Sequence, residues 1–147
     1  TGGGLSLLKG KLSGTFFLTN CDLLIFTDYE KLLRFHRESG SAVTMVCAEK
    51  RVTIPYGVVE TGEGGVITAM REKPAFQFLT NTGLYLVEPE VLDDIGEDEV
   101  IGFPDIIERQ RHKGRRVSAY TVGEEDWLDM GQLDELEKMR ERLYGKA

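Results

Sequence analysis

The sequence has only two cysteines, Cys21 and Cys47, and they lack clustered metal-ligand spacing. They read as two free core thiols, the usage of a reducing compartment. Histidine is scarce too, at two residues. No Ser-His-Asp or Cys-His arrangement offers itself for nucleophilic catalysis. No apolar run approaches the roughly 18 residues of a membrane span, so no membrane partner is expected. Lys and Arg number 18 against 25 Asp and Glu, a formal charge of -7. Such a surface disfavours a broad phosphate-backbone footprint, and nucleic acid is not expected as a partner. The opening TGGGLSLLKG has no charged segment leading into an apolar stretch, so nothing in it reads as a signal peptide. The expected location is cytoplasmic.

What is present is an ordinary globular balance. Hydrophobic residues make up 41% of the 147 and charged residues 29%. That supports one domain whose core needs neither disulfide nor structural metal. Small phosphorylated ligands stay compatible with the charge, because local lysines or a divalent cation offset the field.

Periodicity predicts an α/β fold. Gly2, Gly3 and Gly4 make a flexible or tight start, and Leu5, Leu7 and Leu8 begin a short helix. Thr15 to Thr19 is short, β-branched, aromatic and continuous, the pattern of a buried strand in a parallel sheet. Thr27 and Glu30 fit a capping box. Tyr29, Leu32, Leu33 and His36 then share a helical face, with His36 packed or half-exposed, and Gly40 stops the helix. Ala42 to Cys47 is a second buried strand, completing a βαβ unit. Val52–Glu60, Gly65–Glu72 and Thr82–Val87 read as extended runs without intervening helices, an antiparallel addition. Pro89 and Pro104 mark helix starts. Val117–Val122 is a late strand. A last helix shows an apolar face of Leu133, Leu136, Met139 and Leu143.

Five segments, in order, carry a resemblance. They are Phe17-Leu18-Thr19-Asn20-Cys21-Asp22, Ile54-Pro55-Tyr56-Gly57-Val58-Val59, Glu72-Lys73-Pro74, Asn81-Thr82-Gly83-Leu84-Tyr85 and Trp127-Leu128-Asp129-Met130-Gly131. Together they resemble the sugar-nucleotide nucleotidyltransferases, which join a nucleoside monophosphate to a sugar 1-phosphate and release pyrophosphate. The pattern is most similar to members that activate hexose or N-acetylhexosamine 1-phosphates, including mannose-1-phosphate guanylyltransferase-like ones. The resemblance implies a Rossmann-like nucleotidyltransferase fold with a mixed β-sheet flanked by helices. It begins midway through the family's catalytic domain. The glycine-rich loop that wraps the triphosphate has no counterpart here. Residues 1–147 are therefore expected to be the C-terminal portion of one catalytic domain, with the N-terminal nucleotide-binding portion missing. Thr1 to Leu5 resembles a later glycine segment near the nucleotide.

The resemblance assigns roles residue by residue. Asp22, at the end of the first strand, and Asp129, in Trp-x-Asp-x-Gly, would bind Mg²⁺ on the nucleotide phosphates, a hard cation that takes oxygen ligands. Glu72 would accept hydrogen bonds from sugar hydroxyls, and Lys73 would contact the sugar phosphate. The Gly57 amide would face the sugar, with Asn81 and Thr82 lining its pocket. Gly83 serves close packing, and Trp127 packs behind the site. The implied partners are a nucleoside triphosphate and a hexose or N-acetylhexosamine 1-phosphate. Cys21 departs from the family's usual glycine.

Without the resemblance, plainer readings hold. Asp22 is a cap or turn carboxylate, Asp129 caps the last helix, and Glu72 with Lys73 is a surface ion pair. Pro74 restricts Lys73 to extended backbone. The basic run from Arg109 to Arg116 is a helix end and solvated turn. A noncatalytic module that keeps only the sugar-phosphate side for binding or assembly is the alternative function. A metal-dependent glycosyltransferase would need a close Asp-x-Asp, which Asn20-Cys21-Asp22 is not. With one clear βαβ unit, the sheet would leave an edge and apolar surface exposed, predicting low stability or a homo-oligomer.

Overall fold

In a computed structural model, residues 2–131 and 133–145 are described, with only the backbone described at 133–138. The described residues form eight strands and three α-helices: β1 (Phe16–Thr19), β2 (Leu23–Ile25), α1 (Tyr29–Ser39), β3 (Val43–Thr53), β4 (Val58–Thr61), β5 (Ile67–Arg71), β6 (Ala75–Val87), α2 (Phe103–His112), β7 (Val117–Val122), β8 (Trp127–Asp129) and α3 (Leu133–Tyr144). The main sheet has the order β1-β6-β3-β7. Strand β6 runs antiparallel to β1 and β3, and β3 runs parallel to β7. The mixed α/β sheet expected from the sequence is present.

Alternation on β3 and β6 builds two cores, because successive side chains leave a strand on opposite faces. Val43, Tyr85 and Val87 pack on Phe103, Ile106 and Ile107 of α2 and on a 3₁₀ segment, Pro89–Asp94. Leu84, Leu86 and Val46 pack on Leu32 of α1 with Ile25 and Val122. The sheet is thus covered by α1 on one face and α2 on the other. Helix α1 ends where expected, at Gly40 with φ 61°, whose N–H donates to the Arg37 carbonyl.

Several expectations are corrected. Strand β1 is not a buried parallel strand. Among the described residues it pairs only with β6, antiparallel, and it alternates half-buried and exposed residues at the sheet edge. The βαβ unit survives in direction, but β6 lies between β1 and β3. Helix α1 is capped by Asp28, not Thr27, because the Asp28 carboxylate reaches the Lys31 N–H at 3.0 Å. Pro89 opens a 3₁₀ segment rather than an α-helix, and Pro104 stands at the second residue of α2. Strands β3 and β6 are longer than the runs read from the sequence. Cys47 is buried, but Cys21 is exposed rather than a core thiol; both are free. Met139 is buried and Leu143 is half-exposed. The side chains of Leu133 and Leu136, and Thr1, lie outside the described residues.

The long strands divide at one irregularity. The register of β3 against β6 shifts between Met45 and Cys47, opposite Asn81 to Tyr85. Beyond it, Cys47–Thr53 and Ala75–Asn81 continue as a mostly exposed ribbon. The ribbon leads to the β4–β5 hairpin, closed by Gly62, Gly64 and Gly65.

Candidate active site

Two three-residue strands, far apart in the sequence, pair with each other. In the antiparallel β2–β8 ladder, Leu23 faces Asp129, Leu24 faces Leu128 and Ile25 faces Trp127. The Met130 N–H then donates to the Asp22 carbonyl at 2.8 Å. Asp22 and Asp129, distant in sequence, therefore occupy neighbouring positions at one end of this ladder. The Asp129 Oδ1 accepts the Gly131 N–H at 2.9 Å, which orients the carboxylate over its own turn. This short-range bond is a local turn closure.

Asp129 also faces a cleft of about 570 Å³, at the C-terminal end of β1. Open α/β sheets collect ligands at such strand ends. The wall includes Asn20, Asn81, Thr82, Gly83 and Trp127. Asn81 is locked by its neighbours: its Nδ2 donates to the Tyr85 hydroxyl at 2.7 Å, and its Oδ1 accepts the Gly83 N–H at 3.0 Å. Thr82 is 3% exposed, and its hydroxyl donates to the Val46 carbonyl at 2.8 Å. That hydroxyl holds β6 to β3 at the register shift. Burial pushes the Tyr85 phenol above its ordinary value, against the pull of the Asn81 bond; burial likewise raises the Cys47 thiol.

Gly83 is the hinge of this wall. Its φ is 88°, and an added Cβ would lie 2.7 Å from Asn20 Nδ2 and 2.9 Å from Leu23 Cδ2. Its close-packing role is therefore physical: both the backbone sign and the space demand glycine. Trp127 packs against the Leu32 core and also lines the cleft. Its indole Nε1 is buried without a hydrogen-bond partner among the described residues. A buried donor left so costs on the order of 1–3 kcal/mol, which a ligand or water oxygen in the cleft would recover.

Gly57, Glu72 and Lys73 form a separate group at the base of the β4–β5 hairpin. A Cβ on Gly57 would stand 3.2 Å from Glu72 Oε2, so this carboxylate lies against the glycine backbone. Lys73 is not extended, as the following proline predicts; its φ is 44°. The chain must turn from β5 into β6 within residues 72–74, and that reversal overrides the proline preference. Left-handed backbone in a non-glycine residue costs about 1–2 kcal/mol. Gly57, Glu72, Lys73 and Asp22 do not line the Asp129 cleft. The strand from Ala75 to Asn81 spans about 20 Å at about 3.3 Å per residue.

Asn20, Gly2 and Phe103 also line the cleft; Asn20 lies in the first of the resembling segments and Gly2 in the glycine segment that the resemblance sets near the nucleotide, whereas Phe103 carries no role in the sequence reading. The three come from different parts of the chain. Gly2 is held against α2, where an added Cβ would meet Ile106 Cδ1 at 2.6 Å. Among the described residues, no group of three or more His, Cys, Asp or Glu is poised around a metal position. Nor is any helix among them long and apolar enough to cross a membrane.

The chain resembles known proteins throughout its length. A mannose-1-phosphate guanylyltransferase catalytic subunit beta from Drosophila pseudoobscura pseudoobscura is 33% identical over 144 residues, covering 90% of this chain and 36% of that protein. A UTP–glucose-1-phosphate uridylyltransferase from Synechocystis is 31% identical over 131 residues, covering 81% and 32%. The chain thus spans about a third of the length of these relatives. Among solved structures, HddC from Yersinia pseudotuberculosis matches with a TM-score of 0.67 at 18% identity, over 97% of this chain and 62% of that one. HddC has also been solved complexed with GMP-PN, matching at a TM-score of 0.62 and 16% identity over the same shares. These two establish the shared fold. Residues 4–144 match the nucleotidyl transferase family along nearly the whole chain, and the chain belongs to that family.

Proposed function

We propose that the protein carrying this chain transfers a nucleoside monophosphate from a nucleoside triphosphate to a hexose or N-acetylhexosamine 1-phosphate. The products are a nucleoside diphosphate sugar and pyrophosphate. The chain supplies the C-terminal portion of one catalytic domain in a cytoplasmic enzyme. The observation that carries this reading is the β2–β8 ladder, which sets Leu23 opposite Asp129 and ties Met130 to Asp22. The names of the relatives support the substrate class: a mannose-1-phosphate guanylyltransferase and a glucose-1-phosphate uridylyltransferase.

Asp22 and Asp129 suit Mg²⁺. Two carboxylates are a small donor set, fitting a hard cation that keeps waters and takes substrate phosphates as its remaining ligands. Bound there, Mg²⁺ supplies charge neutralisation at the nucleotide phosphates. The protein's own part is placement. Lys73 balances the sugar phosphate, Glu72 accepts sugar hydroxyls, and the backbone at Gly57 approaches the ring. Thr82 shapes the wall, its one hydroxyl proton already given to Val46, whereas Asn81 keeps a second amide N–H for a ligand.

The sugar phosphate is already an anion, so no side-chain base is required. One of its oxygens bonds to the α-phosphorus as the bond to the β-phosphate oxygen breaks, and pyrophosphate leaves with that electron pair. In-line placement and charge stabilisation carry the rate.

The test is pyrophosphate release by the full-length protein across a panel of nucleoside triphosphates and sugar 1-phosphates. Turnover with one pair should fall by about 10²–10³ in Asp129→Asn. In Lys73→Ala the main effect should be a raised KM for the sugar phosphate. Saturable sugar-phosphate binding with no turnover by the intact protein would leave a noncatalytic module instead.

A further inference from the structure

A second cavity, of about 700 Å³, opens where the start of β3, the ends of α1 and β6, and the α2–β7 connection converge. It lies at the other end of the central strands from the Asp129 cleft. Val43, Val87 and Phe16 are paired at this end, and Leu84 and Thr19 at the cleft end. Its volume falls within the range of small-molecule sites, roughly 300–1,000 Å³.

The inner wall is fixed. His36 is 1% exposed, with Nδ1 2.7 Å from Thr44 Oγ1 and Nε2 2.9 Å from Glu88 Oε1. The Thr15 hydroxyl donates to the same Glu88 oxygen at 2.6 Å. Ser41 stands between Ser39 and Ser118 in a chain of hydroxyl contacts at 2.8 and 2.7 Å. A wall tied from α1, β3 and β7 is preorganised and loses little freedom on binding.

The lip is cationic. Arg37 comes from the last turn of α1, and Arg115 and Arg116 from the α2–β7 connection. Arg115 is already engaged, donating to Gln110 Oε1 at 2.9 Å and lying 3.4 Å from Asp94. Arg37 and Arg116 are exposed, and neither side chain has an ion-pair or hydrogen-bond partner among the described residues. Three arginines against Glu88 and Glu90 leave the lining one positive charge, on a chain of -7. A guanidinium's planar fork matches phosphate oxygens, and two of them can share one phosphate. Glu90 and the second oxygen of Glu88 are acceptors for hydroxyls.

We propose that this cavity is a second ligand site, separate from the Asp129 cleft, for a small phosphorylated polyol. The phosphate ester lies between Arg37 and Arg116, and the hydroxyls turn toward Glu88 and Glu90. Inorganic phosphate shares only the anion contact, so the ester binds more tightly than the free ion. The assignment is independent of the transferase chemistry at Asp22 and Asp129.

The experiment is an amide NMR titration of the labelled chain with inorganic phosphate, glucose 6-phosphate and guanosine 5′-monophosphate. The expected result is saturable shifts at Gly40, Ser41, Ala42 and Arg116, with an ester binding more tightly than phosphate. R37A/R116A should weaken that binding by about tenfold or more. The fold contact of Arg116 is its carbonyl, which accepts the Ala42 N–H, and the substitution spares it. If the alanine pair does not fold, R37Q/R116Q makes the same comparison. The proposal is overturned if no probe gives saturable shifts or if the arginine variants bind unchanged. Shifts at Asn20, Gly83 and the Trp127 indole instead would also overturn it, by assigning the anion to the cleft.

Discussion

The Met130 N–H donates to the Asp22 carbonyl at 2.8 Å, one step beyond the rung that pairs Leu23 with Asp129. A single backbone ladder of three residues per strand therefore sets the relative placement of the two aspartates. Loss of the ladder would separate them without altering either residue.

Gly83 tests how tightly the cleft wall is built. Gly83→Ala forces a Cβ to within 2.7 Å of Asn20 and 2.9 Å of Leu23 at a φ of 88°. The expected loss is about 2–4 kcal/mol of folding stability, the sum of overpacking and left-handed strain. Urea unfolding of the variant beside the parent chain measures it; an unchanged midpoint would contradict the packing.

Lys73 separates strain from contact. At φ 44° the residue carries a left-handed penalty that glycine does not. Lys73→Gly should raise the stability by about 0.5–1 kcal/mol, whereas Lys73→Ala should not. Both should lose sugar 1-phosphate affinity under the proposed function. Thermal melts and calorimetric titration of the two variants provide the comparison.

Acid stability should depend on Glu99. The Arg109 guanidinium and the Gly96 N–H hold its carboxyl down, from 4.5 to about 2. A depressed folded-state value means the contribution is complete above the ordinary carboxylate range. It is then lost as pH falls from about 4.5 through about 2. Glu99→Gln should lower the urea midpoint at pH 6 and flatten its dependence between pH 5 and pH 2.5.

Self-association should be measurable. Among the described residues strand β1 pairs on one side only, and Phe17 is exposed on it. The ribbon, the hairpin and the segment that joins them expose Phe78, Leu79, Met70 and Tyr56 as well. Such edges and apolar patches favour association. Sedimentation should show a mass that rises with concentration; a monomer with a high, cooperative melting transition would contradict this.

Elements with strong local signals were legible in the sequence. Val117–Val122 forms its strand with the predicted bounds, and Gly40 ends α1 in the left-handed region. The run Thr15–Thr19 reads as buried because an apolar run does not distinguish a buried strand from an edge strand covered on one face. Strands β2 and β8 have three residues each, too short for a period to register. The left-handed turn at Lys73 arises from the joining of β5 to β6, which no local rule anticipates. The resemblance named Asp22 and Asp129 together; their adjacency is a product of tertiary pairing. The cleft wall was half legible, since Asn20, Gly2 and Phe103 meet Asp129 only in the fold.

The most direct measurement is a Mn²⁺ titration of the isotopically labelled chain, reading paramagnetic broadening of backbone amides. Mn²⁺ is a hard divalent probe that accepts the oxygen ligands expected for Mg²⁺. The account predicts broadening centred on Asp22, Leu23, Met130 and Gly131, abolished in Asp22→Asn and in Asp129→Asn while the rest of the spectrum stays folded. Broadening centred elsewhere, or unchanged by either substitution, would contradict a shared metal site at these two aspartates.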